Sequence, residues 1–201
     1  MKLAAGLLAI AVLTLGRVHA MEPFGLDAVP SKSADLISVW RDLRLELAQD
    51  EAEIRLCRIE PACGSLAAKR FISIVDDARR YGGRQMLGHL NRSINGAIPA
   101  TRANVPWLSP LAALARAGDC KSYAIAKYLA LAEAGIAADD RRLVLLKVRM
   151  PSTELHLAVL VRDGERWLIL DNRTLTLVDS TETRQYAPLH EFDENGVRDY
   201  R

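Results

Sequence analysis

The sequence lacks the features that mark several large classes of protein. Its 201 residues carry 27 Lys and Arg against 25 Asp and Glu, a formal net charge of only +2. A balance this even argues against binding to nucleic acid or to an anionic membrane surface. There is no repeat, no glycine-rich phosphate loop and no His/Cys/Asp cluster with zinc spacing. We therefore expect no nucleic-acid partner and no bound cofactor.

Long apolar runs are also scarce, and the one present lies at the beginning of the chain. Lys2 precedes an apolar run over 3–15, and Val18-His19-Ala20 ends it with the small residues that a signal peptidase recognises. The pattern predicts a cleaved signal peptide over 1–20 and one domain over 21–201, of zero formal charge, in the periplasm. An uncleaved membrane anchor is the alternative. No cysteine follows the run as in a lipoprotein, and no second run could span a bilayer.

Cysteine is the third scarce feature, with three residues in a chain expected to meet an oxidising compartment. Cys57 and Cys63 lie close together, and Pro61 favours a turn between them. We therefore predict a local disulfide between these two. Cys120 is left alone, either as a buried inert thiol or as a reactive one.

Helical patterns occupy the first part of the expected domain, and strand patterns follow. The spacing of apolar residues predicts helices from Ser33, over 66–80, from Arg84, over 110–116 and over 120–134. Strands are predicted over 142–149, 155–162, 165–172 and 174–178, while the polar tail after Ser180 is left unassigned. Helices followed by an antiparallel sheet predict an α+β fold.

Cys120 lies at the predicted start of a helix, after the turn Gly118-Asp119. Backbone N–H groups at a helix start are unpaired and lie at the positive end of the macrodipole. They favour a thiolate and could bind an oxyanion. The alternative is an ordinary buried cysteine, although a helix N-terminus is a poor place for an inert thiol.

His156 and Asp171 lie in two neighbouring predicted strands. Asp163-Gly164 is a signal for a two-residue hairpin loop, and counting back from it places His156 directly opposite Asp171. Opposite side chains share a face, with Cβ atoms about 5 Å apart. The carboxylate could then orient the imidazole and leave its other nitrogen for a thiol. The alternative is a structural His–Asp pair in the core.

Together these residues form a pattern that resembles the bacterial transglutaminase-like cysteine peptidases. The resemblance spans roughly residues 85–175 and rests on Asn91-Arg92-Ser93-Ile94-Asn95, Trp107, Pro110, Gly118-Asp119-Cys120 leading into Tyr123 and Lys127, His156, and Leu170-Asp171-Asn172. It implies a papain/transglutaminase-like fold with the nucleophile at a helix N-terminus. It implies Cys120 as nucleophile, His156 as general base and then acid, and Asp171 as the group that orients His156. The reaction it implies is peptide-bond cleavage through a thioester.

The resemblance also bears on metals and partners. Family members usually carry acidic residues right after the nucleophile, and these help to bind calcium. Asp119 is retained as a calcium candidate, but Lys121 and Ser122 replace the acidic positions, and an ammonium repels the ion. We therefore expect no calcium dependence, and the same departure argues against control by an inner-membrane receptor. The resemblance implies a protein substrate, with a surface adhesin as a candidate.

Three functions remain open on the sequence alone. The first is an endopeptidase that acts on an exported protein. The second is an acyltransferase or amidase that passes the acyl group of the same thioester to an amine. The third is a non-catalytic binding module on a degenerate fold, which the retention of Cys120, His156 and Asp171 argues against.

Overall fold

The computed structural model describes residues 22–60, 62–149 and 154–201. The signal peptide predicted over 1–20 lies outside the described residues. The helices are α1 (Ala34–Ile59), α2 (Leu66–Arg79), α3 (Gly83–Ala97), α4 (Pro110–Ala115) and α5 (Cys120–Glu133), and short 3-10 turns occur at Pro23–Gly25 and Ala138–Asp140. The strands are β1 (Ala28–Pro30), β2 (Arg141–Val148), β3 (Leu155–Asp163), β4 (Arg166–Leu170), β5 (Val178–Asp179), β6 (Tyr186–Asp193) and β7 (Gly196–Tyr200).

Polar side chains cap four of the five described helices. Ser33, Ser65, Ser109 and Asp119 each accept a hydrogen bond from a backbone N–H in the first turn. That N–H would otherwise be unpaired, so each cap stabilises its helix by about 1 kcal/mol. The helices predicted from Ser33 and over 110–116 therefore begin at capped positions. In the described part of the chain, no helix has both the length and the apolar character needed to cross a bilayer.

The strands form one antiparallel sheet in the order β1-β7-β6-β2-β3-β4-β5. The helices cover one face of this sheet, and the main core lies between them. The sheet contributes to that core the buried side chains of Leu143, Leu157, Val159, Val161, Leu168, Leu170 and Phe192. A smaller apolar cluster covers the other face around Leu146, Leu160 and Trp167. The α+β fold expected from the sequence is therefore confirmed.

The tail left unassigned in the sequence forms β6 and β7. Strand β6 pairs with β2 in the middle of the sheet, and β7 lies between β6 and β1. The charged residue Glu191 of β6 has no exposed surface and forms ion pairs with Arg142 and Arg198. Ion pairing thus allows polar residues inside a sheet, where a solvated tail would be expected from composition. The strand predicted over 174–178 is wrong and is replaced by the short β5.

Cys57 and Cys63 form a disulfide, as predicted. The bond ties the end of α1 to the loop that precedes α2. Cys120 is the free cysteine of the described residues, and it is partly exposed.

Thiol counting tests this pairing. We expect one alkylatable thiol when the protein is denatured without reductant, and three after reduction. Intact-mass analysis after iodoacetamide treatment measures both numbers. Because the closed loop is short, we expect the disulfide to add only about 2 kcal/mol to the free energy of unfolding. Three reactive thiols before reduction would contradict the assignment.

Candidate active site

Cys120 is the first residue of α5, and the side chain of Asp119 caps this helix. Asp119 Oδ1 accepts a hydrogen bond of 3.0 Å from the backbone N–H of Lys121. The Cys120 sulfur therefore lies at the positive end of the helix dipole. This is the location predicted from the sequence.

Gly118 allows the chain to pass close to α5 just before the cysteine. A Cβ atom at this position would lie 2.3 Å from Cβ of Ser122 and 3.1 Å from Cγ2 of Ile98. The Gly118 backbone N–H donates to Pro99 O at 2.9 Å, and Gly118 O accepts from Thr101 N at 3.0 Å. These two bonds fix the loop after α3 against the start of α5. A side chain at 118 would push the two apart.

The hairpin that carries His156 has a register different from the predicted one. Val159 pairs with Leu170, so the loop is Gly164-Glu165, one residue later than predicted. The predicted direct pairing of His156 with Asp171 is therefore wrong, because this register places the position opposite His156 two residues beyond Asp171. Gly164 has a φ of +65°, which only glycine adopts readily, and this favours the later loop. Because side chains alternate along a strand, a shift of two residues leaves both groups on the same face.

The side chains of His156 and Asp171 meet on that face in a buried hydrogen bond. His156 Nε2 lies 2.9 Å from Asp171 Oδ1. His156 is 0% exposed and Asp171 is 2% exposed. Asp171 Oδ1 also accepts from the backbone N–H of Arg173 at 3.0 Å. Because Asp171 engages Nε2, the imidazole is left with Nδ1 for a thiol.

Tyr186 is a member of this site that was not predicted from the sequence. Its hydroxyl donates to Asp171 Oδ2, and its ring stacks on His156 with 5.6 Å between centroids. It lies in β6, within the unassigned tail. The pair Asn195-Gly196, with Phe192 before it and Val197 after it, is a hairpin signal that could have revealed β6 and β7, which do form a hairpin there.

The charges of the three groups support one another. Burial disfavours the charged form of all three, but their hydrogen bonds outweigh it. The bond to Asp171 holds the pKa of His156 above its ordinary value, and the bond to His156 holds the pKa of Asp171 far below its own. Burial likewise opposes ionisation of Cys120, yet hydrogen bonding and the charge of His156 bring the pKa of this thiol below normal. The arrangement favours a thiolate–imidazolium pair.

Cys120 and His156 line one cleft of about 500 Å³. Its remaining lining is mostly apolar: Leu36, Val105, Pro106, Trp107, Leu145, Leu155 and Leu157, with Asn104 and Lys121 as the polar members. Trp107 lines the cleft and also packs against the core, with 5.4 Å between its ring centroid and that of Phe192.

His190 and Asn91 lie outside this arrangement. His190 pairs with Asp199 at 2.8 Å between Nδ1 and Oδ1 and does not line the cleft. Asn91 is buried and donates to Thr174 O. No group of three or more His, Cys, Asp or Glu side chains in the described residues is arranged to hold a metal ion.

A cysteine at a helix start, a buried His–Asp pair on an antiparallel sheet and a cleft between them define the class of papain/transglutaminase-like cysteine hydrolases. The family model described as bacterial transglutaminase-like cysteine proteinase, BTLCP, matches residues 57–192. The chain belongs to this family and is a cysteine peptidase.

Solved structures of Legionella pneumophila LapG share the fold. The calcium-bound form has 20% sequence identity and a TM-score of 0.59, with 74% of this chain and 86% of that chain covered. The EGTA-treated form has 19% identity and a TM-score of 0.60, with 76% and 86% covered. No curated protein sequence matches this chain.

The close approach at Gly118 predicts a strong effect of a single methyl group. Gly118→Ala forces a shift at the start of α5 and should lower the free energy of unfolding by about 1–3 kcal/mol. It should also slow alkylation of Cys120 in the folded protein. Gly96→Ala is the matched control, because Gly96 lies in α3 with open space around its Cβ position. That variant should change stability by less than about 1 kcal/mol. Equal effects of both in urea unfolding would contradict a special role for Gly118.

The reactivity of Cys120 should depend on His156. Since the thiol pKa is lowered and the imidazole pKa is raised, the ion pair exists at pH values between the two. Iodoacetamide should therefore label Cys120 well below the pH of about 8.5 at which a free thiol ionises. His156→Ala should move the labelling profile upward by about one pH unit or more. His190→Ala is the control and should leave it unchanged. An ordinary thiol profile, unaffected by His156→Ala, would make Cys120 a structural cysteine.

Proposed function

We propose that this protein is an exported endopeptidase that cleaves a peptide bond in a protein outside the cytoplasm. Cys120 acts as nucleophile, His156 as general base and acid, and Asp171 as the group that orients His156. The observation that carries the proposal is the buried His156–Asp171 pair beside the free thiol at the start of α5. Export rests on the signal peptide predicted over 1–20, which leaves 21–201 as the peptidase domain.

The reaction follows from these positions. The Cys120 thiolate attacks the carbonyl carbon of the scissile bond, and the Cys120 backbone N–H, which has no acceptor within α5, donates to the developing oxyanion. Asn104 lines the cleft and offers an amide for the same purpose. His156 then gives its Nδ1 proton to the leaving amine, and a thioester remains. Water attacks the thioester with His156 as base, which releases the acid and restores the thiol.

Hydrolysis needs only water as the acyl acceptor. No carboxylate of the described residues lines the cleft to bind a cationic acceptor amine, and the nearby Asp119 is paired with Lys121. The apolar walls favour apolar residues next to the scissile bond, and a surface adhesin is a candidate substrate.

The proposal is tested by comparing the exported proteins of cells that carry the wild-type chain or Cys120→Ala. Mass spectrometry of protein N-termini should find at least one terminus that depends on Cys120. Asp171→Asn should reduce its formation on the order of 10³–10⁴-fold, because the imidazole loses its orientation. His190→Ala should process normally, since the His190–Asp199 pair does not line the cleft. Identical N-termini with and without Cys120 would refute the peptidase assignment.

A calcium ion does not fit the residues at the start of α5. One carboxylate oxygen of Asp119 accepts a hydrogen bond from the Lys121 backbone N–H, and the other accepts one from Lys121 Nζ. The same ammonium donates to Asn104 Oδ1 at 3.0 Å. The positive charge that calcium would supply is therefore already provided by a side chain. One solved LapG form is calcium-bound, whereas in this chain the Asp119 carboxylate is engaged by Lys121.

We expect millimolar calcium and EGTA to leave both the melting temperature and the processing activity unchanged. The physical reason is that an ion that does not bind the folded state cannot stabilise it. Differential scanning calorimetry measures the first quantity without any substrate. Loss of activity in EGTA that calcium restores would show that other residues build a calcium site.

A further inference from the structure

Lys127 is a lysine without any exposed surface. It lies in α5, the helix that begins with Cys120, and its neighbours in this helix are buried as well. Lysine is almost never fully buried unless its charge is compensated, because an ammonium loses its hydration there. A leucine or methionine would fill the same space at a lower cost. Packing alone therefore does not account for a lysine at this position.

The hydrogen-bond acceptor of the ammonium belongs to the backbone next to Asp171. Lys127 Nζ lies 3.5 Å from the carbonyl oxygen of Leu170, at the outer limit of a hydrogen bond. Leu170 directly precedes Asp171, whose negative charge favours the ammonium. Burial opposes it more strongly and brings the pKa of Lys127 down to about 7.

Two asparagines of α3 support the same stretch of backbone. Asn95 Nδ2 donates to Asp171 O at 3.0 Å, and Asn91 Nδ2 donates to Thr174 O at 3.1 Å. With Lys127, three side chains of the helical layer thus contact carbonyl groups over 170–174. This stretch begins at the last residue of β4 and then runs outside regular secondary structure. Side-chain donors there take the place of a sheet ladder.

We propose that Lys127 is a positioning residue for the peptidase reaction: it holds the Leu170 carbonyl from the helical side and so keeps the Asp171 carboxylate aligned with His156. The proposal rests on the proposed roles of Cys120, His156 and Asp171. Helix α5 then sets both ends of the arrangement, since its first residue is the nucleophile and its buried lysine anchors the segment that orients the base.

The test uses the full chain with Lys127→Met, which keeps the length of the side chain but removes its charge and its donors. Lys127→Leu is a second apolar variant in case the first does not fold. Lys127→Gln restores a donor without a charge. Lys69→Met is the matched control, because Lys69 is an exposed lysine in another helix, α2.

The decisive readout is the pH profile of Cys120 alkylation, which needs no substrate. Loss of the Lys127 charge alone would change the profile in the same way in the Met, Leu and Gln variants, because all three lack the ammonium. Loss of alignment removes the Asp171–His156 bond and moves the profile to higher pH, and it is expected only where the donor is lost. We expect an upward shift in Lys127→Met and Lys127→Leu, a profile near wild type in Lys127→Gln, and none of these changes in Lys69→Met.

Processing of the substrate should fall roughly 10–100-fold in Lys127→Met, as for other residues that orient a functional group from behind. Its stability in urea should be equal to or higher than that of the wild type, since apolar replacement of a buried charge is often stabilising. An unchanged or lowered alkylation profile in the folded apolar variants would overturn the proposal, as would a Gln variant that behaves like Met. Processing that persists in Cys120→Ala would refute the peptidase role but would leave the alkylation result readable.

Discussion

The buried hydrogen bond between His156 and Asp171 is the interaction on which the chemistry of the cleft depends. A lone imidazole in this position would stay neutral, and a lone carboxylate would be protonated, because burial penalises either charge. Paired at 2.9 Å, each keeps the other charged. Against the effect of burial, hydrogen bonds to His156 and to the Leu157 backbone, together with the positive charge of His156, lower the pKa of the Cys120 thiol. Tyr186, on a strand from another part of the chain, holds the second carboxylate oxygen.

Helix α5 links this pair to the nucleophile. It carries two lysines near the site, one beside the cleft and one in the core. At its first turn, Lys121 neutralises Asp119 beside the cleft. Two turns below Cys120, Lys127 lies in the core next to the backbone of Asp171. Both ammonium groups contact oxygen atoms of other segments, Asn104 in one case and Leu170 in the other. The helix therefore carries the thiol and also contacts the cleft wall at Asn104 and the end of β4 at Leu170.

The sequence was sufficient for the fold class, the disulfide, the helix start at Cys120 and the common face of His156 and Asp171. It was not sufficient for register, because a face argument depends only on odd or even spacing and cannot detect an error of two residues. Strands β6 and β7 were not predicted from the sequence for another reason. Glu191 and Arg198 are polar residues typical of a solvated segment, and the sequence does not show that they form an ion pair inside a sheet. Tyr186 was missed with that tail. The catalytic roles of Cys120, His156 and Asp171 remain predictions that the geometry supports.

The position of β6 and β7 also affects when the site can form during synthesis. Strand β6 lies between β2 and β7, and β7 pairs with β1, so residues 28–30 are joined to residues 198–200. A ribosome-bound chain that has emerged only as far as Asp171 contains the nucleophile, the imidazole and the carboxylate, but lacks both central strand β6 and Tyr186. Contacts between such distant segments form late in folding. Partial chains therefore carry the reactive groups without the sheet and the Tyr186 hydroxyl that align them, so the arrangement is complete only once the last hairpin has formed.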